Sequence, residues 1–501
     1  MTIWNLLIGF AIGGGILTAL TGYFMKTPPK SWVQTFLQNF TGVWFIFSGA
    51  VKAVDPWGTA IKMQQYFGEF ETTFKGTWLK GTAPMFPWLA DSAVAFSIFM
   101  IVLEIIIGMM LILGHKSKLT SWLFLIIMVF FTVLTGYTHL TAFVPDGVNF
   151  FEFSKWGDYV ETNMKVTDCG CFGDFLKLSP TTSFYKDIAL MPVALFFVWR
   201  YKNFNVLFTS KTRNIIVAST LLGTLLFCLY NTYMNEPVVD FRPFKNGVNI
   251  REQKLAEEKA ASAVEITDWK LKNEKTGETI SLTNKAYMDE KGYEKYNKEA
   301  GWKVADQIKT TPSVPHSKIS DFGINDKEGN DVSETFLSEP NYTFLVVSWK
   351  IASETLKKSI VVPDSIFRTD TVKMKIAGKD TFELKKVFDS MGQREEVFKS
   401  FKFNDAYRDI FINKINPFLD QAEKAGYKIA ALVPYSDPKK IDDFRHDAQA
   451  AYPFYTADDV LIKTMIRSNP GVYLLKNGLI VQKWHIKQLP DFNSVKAQFI
   501  K

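Results

Sequence analysis

The chain has 501 residues, of which 47% are hydrophobic and 22% charged, and its formal net charge is +7. This modest charge is largely explained by the membrane loops described below, so it indicates no nucleic-acid partner. The apolar residues are unevenly spread: residues 1–233 hold long uncharged runs, whereas residues 234–501 are charged throughout. Length and this division together predict at least two domains of different kinds.

The first half of the sequence predicts an α-helical membrane bundle. A helix needs about 20 mostly apolar residues to span a bilayer. Candidate runs lie at 3–25, 31–54, 91–113, 119–144, 185–199 and 214–234. The fifth run is short for a span. We expect about six spans, which form a first domain over residues 1–234.

The connecting loops predict how the spans are oriented, because lysine and arginine accumulate in cytoplasmic loops. The loops at 26–30, 114–118 and 200–213 contain basic residues and no acidic ones. The loop at 146–177 contains more acidic residues than basic ones. One orientation satisfies every loop, with both termini and the whole C-terminal half outside. In a bacterium this is a six-pass inner-membrane protein with a periplasmic C-terminal domain.

The sequence "TDCGCFGD" in that outer loop holds two of the three cysteines, Cys169 and Cys171. Gly170 lets the chain bend far enough for these two thiols to form a disulfide in a small ring. A strained disulfide exchanges readily, and disulfides persist in the periplasm. The pair is therefore either an exchanging redox centre or a staple that fixes the loop. A metal site needs about four ligands, and only His139 lies near enough to add one, so we expect no metal.

Polar residues inside the predicted spans are candidates for a functional site. Glu104 lies near the middle of the third span, where a carboxylate indicates either a function or a hydrogen bond between helices. His139, near the outer end of the fourth span, is equally well explained as an interfacial residue without a role. Lys52 ends the second span, where its ammonium can extend to the interface before Pro56 stops the helix in a turn. Cys228 is typical of a small core residue, with a resolving thiol as the alternative.

Three motifs in this half resemble those of one family. "WFIFSGAVKAVDPWGTAIKMQQYF" resembles the DoxX signature, "LEIIIGMMLILG" resembles the acid and glycines of its third span, and "DCGCFGD" resembles the Cys-x-Cys-Phe-Gly motif of the MauE branch. The resemblance covers roughly residues 31–200. It implies a helical-bundle membrane protein linked to periplasmic thiol–disulfide chemistry or to quinol-linked electron transfer, and for the second alternative a quinone is the candidate cofactor. It also implies that Cys169 and Cys171 are the pair that exchanges disulfides, and that Glu104 and Lys52 line the bundle interior. His139 is the third candidate for a polar site in that interior.

The second half predicts a tether and an extracytoplasmic α/β domain. Residues 235–310 indicate a tether, a hairpin and a Lys/Glu-rich helical stretch that ends near Ile308. Residues 311–501 contain hairpins, a helix and the continuous apolar run "YTFLVVSW", which is typical of a buried strand. The order of these elements resembles that of a TlpA-like thioredoxin domain. The opening "DF…DKEGNDVS", the strand ending in Trp349 and the Asn469-Pro470 pair also resemble features of such a domain. The resemblance implies that this proline is cis and packs beside the active site.

The redox cysteines of such a domain are missing. They should follow Trp349, but the sequence there is "WKIASETLKK", with Ser353 and Leu356 at the cysteine positions, and an apparent insertion follows at 357–407. A thioredoxin fold without cysteines cannot exchange disulfides. It can still bind a polypeptide in the groove beside Pro470, and Trp349 and Ser353 are the other residues that we expect at this surface.

Two functions are compatible with these features. The first is a membrane thiol–disulfide oxidoreductase or electron-transfer component, in which the Cys-Gly-Cys pair reacts and the thioredoxin-like domain docks a partner. The second is a non-catalytic envelope scaffold, in which the same pair is a structural disulfide. In both, the partners are membrane lipid and a periplasmic or envelope protein.

Overall fold

The computed structural model describes residues 2–24, 29–166, 170–376 and 379–500. Cys169, one half of the predicted redox pair, lies outside these residues. The chain divides into two compact units. The first unit consists of Met1–Lys245, Thr464–Gly471 and Trp484–Leu489, and the second consists of Asn246–Lys463, Val472–Lys483 and Pro490–Lys501.

The first unit is built from helices. They are α1 (Ile3–Phe24), α2 (Trp32–Val54), α3 (Pro56–Lys75), α4 (Met85–Asp91), α5 (Ala93–Leu113), α6 (Ser117–Thr141), α7 (Pro180–Arg200) and α8 (Ser210–Tyr233). Within the described part of the chain, five helices are long and apolar enough to cross a membrane, namely α1, α5, α6, α7 and α8. The length and apolar composition of these five helices confirm the prediction of an N-terminal membrane region in contact with lipid.

Helix α2, our predicted second span, has 23 residues but is too polar to belong to that set. Its polar side chains bind other parts of the unit. Gln38 Nε2 donates to the carbonyl of Leu111 at 3.2 Å, and Gln38 Oε1 accepts from the Asn205 amide at 2.9 Å. Asn39 Nδ2 donates to Thr18 Oγ1 at 3.0 Å. Because neighbouring helices and loops satisfy these groups, α2 can be polar and still lie inside the helical unit.

Glycines bring α2 and α5 close together. A Cβ atom on Gly42 would lie 2.9 Å from the carbonyl oxygen of Gly108, and a Cβ atom on Gly108 would lie 2.7 Å from that of Gly42. Real Cβ atoms do not approach so closely, so both positions need glycine. Such small residues let two membrane helices pack backbone to backbone. This contact brings the polar end of α2 next to the middle of α5.

Helix α2 ends at Val54, before Pro56, as predicted, but two other helix boundaries differ from our predictions. We expected a turn after α2, whereas Pro56 is the first residue of a further helix, α3, and the preceding Asp55 caps that helix by accepting from the Gly58 amide at 3.1 Å. Proline is favoured at this first position because its missing N–H would have no partner there. We expected the fifth span to begin at residue 185, but α7 begins at Pro180, where Ser179 caps it. The helix is therefore long enough to be a membrane span.

The rest of the chain mixes helices and strands. In chain order these are α9 (Ile250–Ser262), β1 (Ile266–Asn273), β2 (Thr279–Thr283), α10 (Asn284–Met288), α11 (Glu290–Lys295), β3 (Trp302–Lys309), α12 (Ser333–Leu337), β4 (Tyr342–Val347), β5 (Ser353–Ile376), β6 (Lys379–Phe403), α13 (Asp405–Ile410), a π-helical turn (Phe411–Ile415), α14 (Asn416–Lys424), β7 (Lys428–Pro434), α15 (Pro438–Asp447), β8 (Phe454–Ala457), α16 (Asp459–Met465), β9 (Gly471–Lys476), β10 (Leu479–His485) and α17 (Phe492–Phe499). An α/β C-terminal region is thus confirmed.

The largest sheet has the strand order β10-β9-β4-β7-β8. Strand β4 runs parallel to β7, and β7 runs parallel to β8. Every residue of β4 is buried, as its continuous apolar sequence predicts. The hairpin turn that we expected at Asn477-Gly478 joins β9 to β10, with both residues at positive φ.

Two smaller sheets complete the second unit. One of them has the strand order β2-β1-β3. Its strand β3 occupies residues where we expected the end of a helix. Pairing with β1, for example Leu271 opposite Val304, overrides the helical preference of the Lys/Glu-rich sequence. The predicted insertion forms a long antiparallel hairpin of β5 and β6, which pairs from Ser353–Phe403 onward and shifts register between Ile366 and Phe367.

Candidate functional site

The carboxylate predicted inside the membrane region is buried and paired. Glu104 of α5 is 1% exposed, and its Oε1 forms a salt bridge and hydrogen bond with Nζ of Lys52 on α2, which is 5% exposed. Ser48, one helical turn before Lys52, lies with its Oγ 3.1 Å from Glu104 Oε2. An isolated buried charge is strongly unfavourable, and an opposite charge with further hydrogen bonds offsets that cost.

Ser48 connects this ion pair to the Cys-Gly-Cys loop. Its Oγ also lies 2.9 Å from the carbonyl oxygen of Cys171. A serine hydroxyl has a single proton, so it donates to Glu104 or to Cys171 at any one time. The loop turns at Gly170 and Gly173, which have φ of +63° and +53°, values that favour glycine. The loop backbone is thus held at a defined place beside the Lys52–Glu104 pair.

These groups line a cavity in the first unit, with a volume of about 50 Å³. Gly170 and Cys171 are part of its lining. Its aromatic and sulfur-containing wall includes Trp44, Phe45, Met63, Met100, Met128 and Phe131. Its polar groups include Ser48, Lys52, Lys62, Glu104, Lys186 and Asp187. A mostly apolar cavity with a few converging polar groups is typical of a ligand-binding or catalytic site.

A second buried ion pair in this cavity was missed by sequence reasoning. Asp187 of α7 is fully buried, and its Oδ1 lies 2.6 Å from Nζ of Lys186. Its Oδ2 accepts a hydrogen bond from Thr135 Oγ1 at 3.0 Å. The signal was present in the sequence, because Asp187 is an acid within the fifth predicted span and satisfies the rule that selected Glu104. The cavity therefore contains two carboxylate–lysine pairs.

His139, our third candidate for a polar site in the bundle interior, lies elsewhere. It sits near the end of α6 in an aromatic cluster, and it does not belong to the described lining of the cavity. Its ring stacks on Phe184 with 5.2 Å between centroids, and its Nδ1 lies 3.1 Å from Thr181 Oγ1. The structure brings Glu104 and Lys52 together but leaves His139 apart from them.

Cys228 is a buried residue with a free thiol. It packs in a cluster with Ala53, Ile98, Ile101 and Ile105, whereas Cys171 packs against a different apolar cluster. These surroundings are those of a small core residue. They give no support to the alternative of a resolving thiol.

A second polar cluster in the first unit surrounds Arg467, in the segment Thr464–Gly471. The side chain of Arg467 is 4% exposed. Its Nε lies 2.9 Å from Asp55 Oδ1, and its Nη2 lies 2.7 Å from Asp55 Oδ2 and 3.5 Å from Asp174 Oδ2. Burial acts to raise the pKa of Asp55, but the charge and hydrogen bonds of Arg467 outweigh it and hold the pKa below its usual value.

The backbone of the same segment is held by Glu236. Its Oε1 accepts hydrogen bonds from the amides of Arg467 and Ser468, each at 3.0 Å. Glu236 Oε2 in turn accepts from Nη2 of Arg242 at 2.7 Å, and Arg242 Nε donates to Asp240 Oδ1 at 2.8 Å. Burial acts to lower the pKa of Arg242, but the neighbouring carboxylates raise it well above its usual value. No local sequence pattern pointed to this network.

The residues predicted at a partner-binding surface lie as follows. The Asn469-Pro470 bond is cis, as the thioredoxin resemblance led us to expect, and Pro470 is buried in the first unit. Trp349 and Ser353 belong to the second unit, where they follow β4 and Ser353 begins β5. Trp349 is partly buried.

No protein-family model, curated protein or solved structure matches the chain. Function is therefore inferred from the residues and contacts described above. The first unit combines a cysteine-containing loop, two buried carboxylate–lysine pairs and an aromatic wall in one cavity. Carboxylates and ammonium groups can accept and donate protons, and a thiol pair can accept and donate electrons.

Proposed function

We propose that the chain is a membrane thiol–disulfide oxidoreductase with Cys169 and Cys171 as its redox pair. The observation that carries the proposal is the position of the Ser48 hydroxyl between the Cys171 carbonyl and Glu104, at 2.9 and 3.1 Å. It joins the cysteine loop directly to a buried ion pair in an apolar helical unit. A disulfide that only fixed a loop would not need buried charges beside it, since buried ion pairs are weak contributors to stability.

The proposed reaction transfers two electrons and two protons per turnover. One thiolate of a partner's dithiol attacks a sulfur of the Cys169–Cys171 disulfide, which breaks as a mixed disulfide forms. The partner's second thiolate attacks that mixed disulfide. The partner leaves with a disulfide, and Cys169 and Cys171 are left as thiols that have taken up both protons. Glu104 and Asp187 are the buried carboxylates that can relay these protons, and the lysine beside each one balances its charge.

Return of the pair to the disulfide requires an electron acceptor, for which we propose a quinone. The cavity residues fit such a ring in their chemistry, with Trp44 and Phe131 in the wall and Lys52 and Lys186 as donors. A bound quinone would supply an acceptor for two electrons and two protons. The two lysines would hold it by donating to its carbonyl oxygens, and the apolar wall would exclude water.

The proposal includes a location and a set of relatives. We place the chain in the bacterial inner membrane with six spans, counting α2, and with the cysteine loop and C-terminal region in the periplasm. The loop charges support this orientation. The motifs quoted above support a relation to DoxX/MauE proteins and, for the C-terminal region, to a TlpA-like domain. That domain would dock a periplasmic or envelope protein, with the partly buried Trp349 and Ser353 at its surface. Pro470, which we also expected there, is buried in the first unit.

One observation favours the second candidate function, a non-catalytic envelope scaffold. Ser353 and Leu356 stand where a thioredoxin-like domain has its cysteines, so no thiol follows Cys228 in the sequence. A single cysteine pair would then have to serve both the partner and the electron acceptor. In the scaffold the pair would be a staple, and its closure of a three-residue loop would contribute about 2 kcal/mol or less.

Substitution of the cysteines separates the two functions. We would measure oxidation of a dithiol peptide by the purified full chain with a soluble quinone, for Cys169→Ser, Cys171→Ser and the double variant. Each variant should lose all activity, because either loss removes the pair. The matched control is Cys228→Ala, which should keep its activity since Cys228 is a core residue. If the folded double variant keeps the wild-type function in cells, the pair is a structural disulfide and the scaffold function is the correct one.

A further inference from the structure

Arg467 lies between the cysteine loop and the turn that joins α2 to α3. Its guanidinium binds Asp55 through Nε and Nη2 at 2.9 and 2.7 Å, and Nη2 also lies 3.5 Å from Asp174. Asp174 follows Cys171 by three residues in the same loop. Asp55 follows the last residue of α2, the helix that carries Ser48. One side chain therefore contacts both structures whose relative position sets the hydrogen bond from Ser48 to the Cys171 carbonyl.

The position of this guanidinium is fixed by the segment to which it belongs. The amides of Arg467 and Ser468 donate to Glu236, and Arg242 holds Glu236 in place at 2.7 Å. Arg242 is itself 1% exposed and donates through Nη1 to the Met465 carbonyl at 3.4 Å. The planar guanidinium of arginine is also pre-organised, so it loses less conformational entropy for each hydrogen bond that it forms with its carboxylates. It can therefore hold them with a defined geometry.

Charge makes the contact with the cysteine loop depend on Arg467. The cluster contains four carboxylates, on Asp55, Asp174, Glu236 and Asp240, against two guanidiniums, on Arg242 and Arg467. Among the described residues, Lys177 also forms an ion pair with Asp174, but its Nζ lies 3.8 Å away and its side chain is 53% exposed, so this pair is largely screened by solvent. If the guanidinium of Arg467 were removed, the carboxylates of Asp55 and Asp174 would lose the cation that they share. The two negative charges would then repel each other. The loop would then move away from α2.

We propose that Arg467 is a positioning residue for the redox pair. By binding Asp55 and Asp174 together, it holds the loop so that the Cys171 carbonyl meets Ser48 and Cys171 stays in the lining of the cavity. Gly173, between Cys171 and Asp174, lies close to Lys52, since a Cβ atom there would be 4.0 Å from Lys52 Cγ. This inference rests on the oxidoreductase function proposed above, and it adds a residue far from the cysteines in sequence.

The test is a double-mutant cycle on the purified full chain, read as the rate of dithiol-peptide oxidation and as the unfolding temperature. Arg467→Gln should lower the rate at least about tenfold, since misplacement of reacting groups by about 1 Å can cost about a hundredfold. Asp174→Asn should lower it less, because Arg467 keeps its contact with Asp55. The variant with both substitutions should be no slower than Arg467→Gln alone, because both changes break the same contact. Arg467→Lys keeps the charge without the two-pronged geometry and should recover part of the rate.

The matched control is Arg408→Gln, which removes an arginine that pairs with Asp405 and Asp409 at 2.8 and 3.0 Å in the second unit. Its oxidation rate should equal that of the wild type. If the effects of Arg467→Gln and Asp174→Asn simply multiply, or if Arg467→Gln leaves the rate unchanged, Arg467 is not a positioning residue. If Arg467→Gln does not fold, the same cycle with Arg467→Lys decides the question. A wild type that oxidises no dithiol would instead refute the proposed function, and the inference with it.

Discussion

The buried pair of Lys52 and Glu104 makes a quantitative prediction about stability. Replacing Lys52 by methionine leaves the volume of the side chain similar but removes the ammonium. Glu104 is 1% exposed, and among the described residues its carboxylate would keep the Ser48 hydroxyl, at 3.1 Å, as its one hydrogen-bond partner. Breaking a buried ion pair by removing one partner costs about 3–5 kcal/mol. We expect Lys52→Met to lower the free energy of unfolding by about that amount.

The double variant Lys52→Met, Glu104→Leu should recover most of the loss, because two apolar side chains replace a buried pair at little net cost. The measurement is reversible unfolding in mixed micelles, followed by helix content against denaturant concentration. The matched control is Lys75→Met, since Lys75 forms a similar ion pair with Glu71 at 2.6 Å but is 65% exposed. Exposed pairs contribute about 0.3–0.5 kcal/mol on a helix. A Lys52→Met variant as stable as Lys75→Met would show that the Lys52–Glu104 pair is not buried.

Three further predictions concern other parts of the first unit. Gly108→Leu should destabilise the chain by about 1–3 kcal/mol through overpacking against α2, measured in the same unfolding assay, whereas Gly9→Leu, with open space at its Cβ position, should not. The pKa of Asp55 is lowered in the folded state from an ordinary 3.8, so its ion pair contributes fully above that pH and is lost as the pH falls through the folded-state value. The unfolding temperature of the wild type should therefore fall more steeply below about pH 4 than that of Asp55→Asn, and parallel curves would contradict this assignment. In a cysteine-free chain, a membrane-impermeant thiol reagent on intact spheroplasts should label a cysteine placed at position 158 and not one at 116, and the reverse pattern would overturn the orientation.

Rules that act on short stretches of sequence located some parts of the site well. The rule that an acid in an apolar span is functional or paired identified Glu104, and the same rule applied to Asp187 would have identified the second pair. The partner of Glu104 was harder to recognise, because Lys52 ends its helix, where an ammonium that reaches the interface explains the sequence equally well. Only the packing of α2 against α5 decides between these roles.

Other features depend on contacts that no local pattern contains. Arg467 and Asp55 are 412 positions apart, so their pairing follows from the fold alone. Helix α2 stops before Pro56, as the sequence predicts, but the same proline also begins α3, which Asp55 caps. Strand β3 has the composition of a helix and is a strand because β1 offers it a partner.

The central claim is that Cys169 and Cys171 exchange electrons in the cell. The most direct measurement is their thiol state in intact cells, fixed by acid quenching and read by differential alkylation and mass spectrometry, before and after a short pulse of reductant. The account predicts a disulfide that the pulse reduces and that forms again after the reductant is removed, only while electron acceptors are available. A disulfide that stays closed throughout the pulse, in a chain that functions normally, would contradict it.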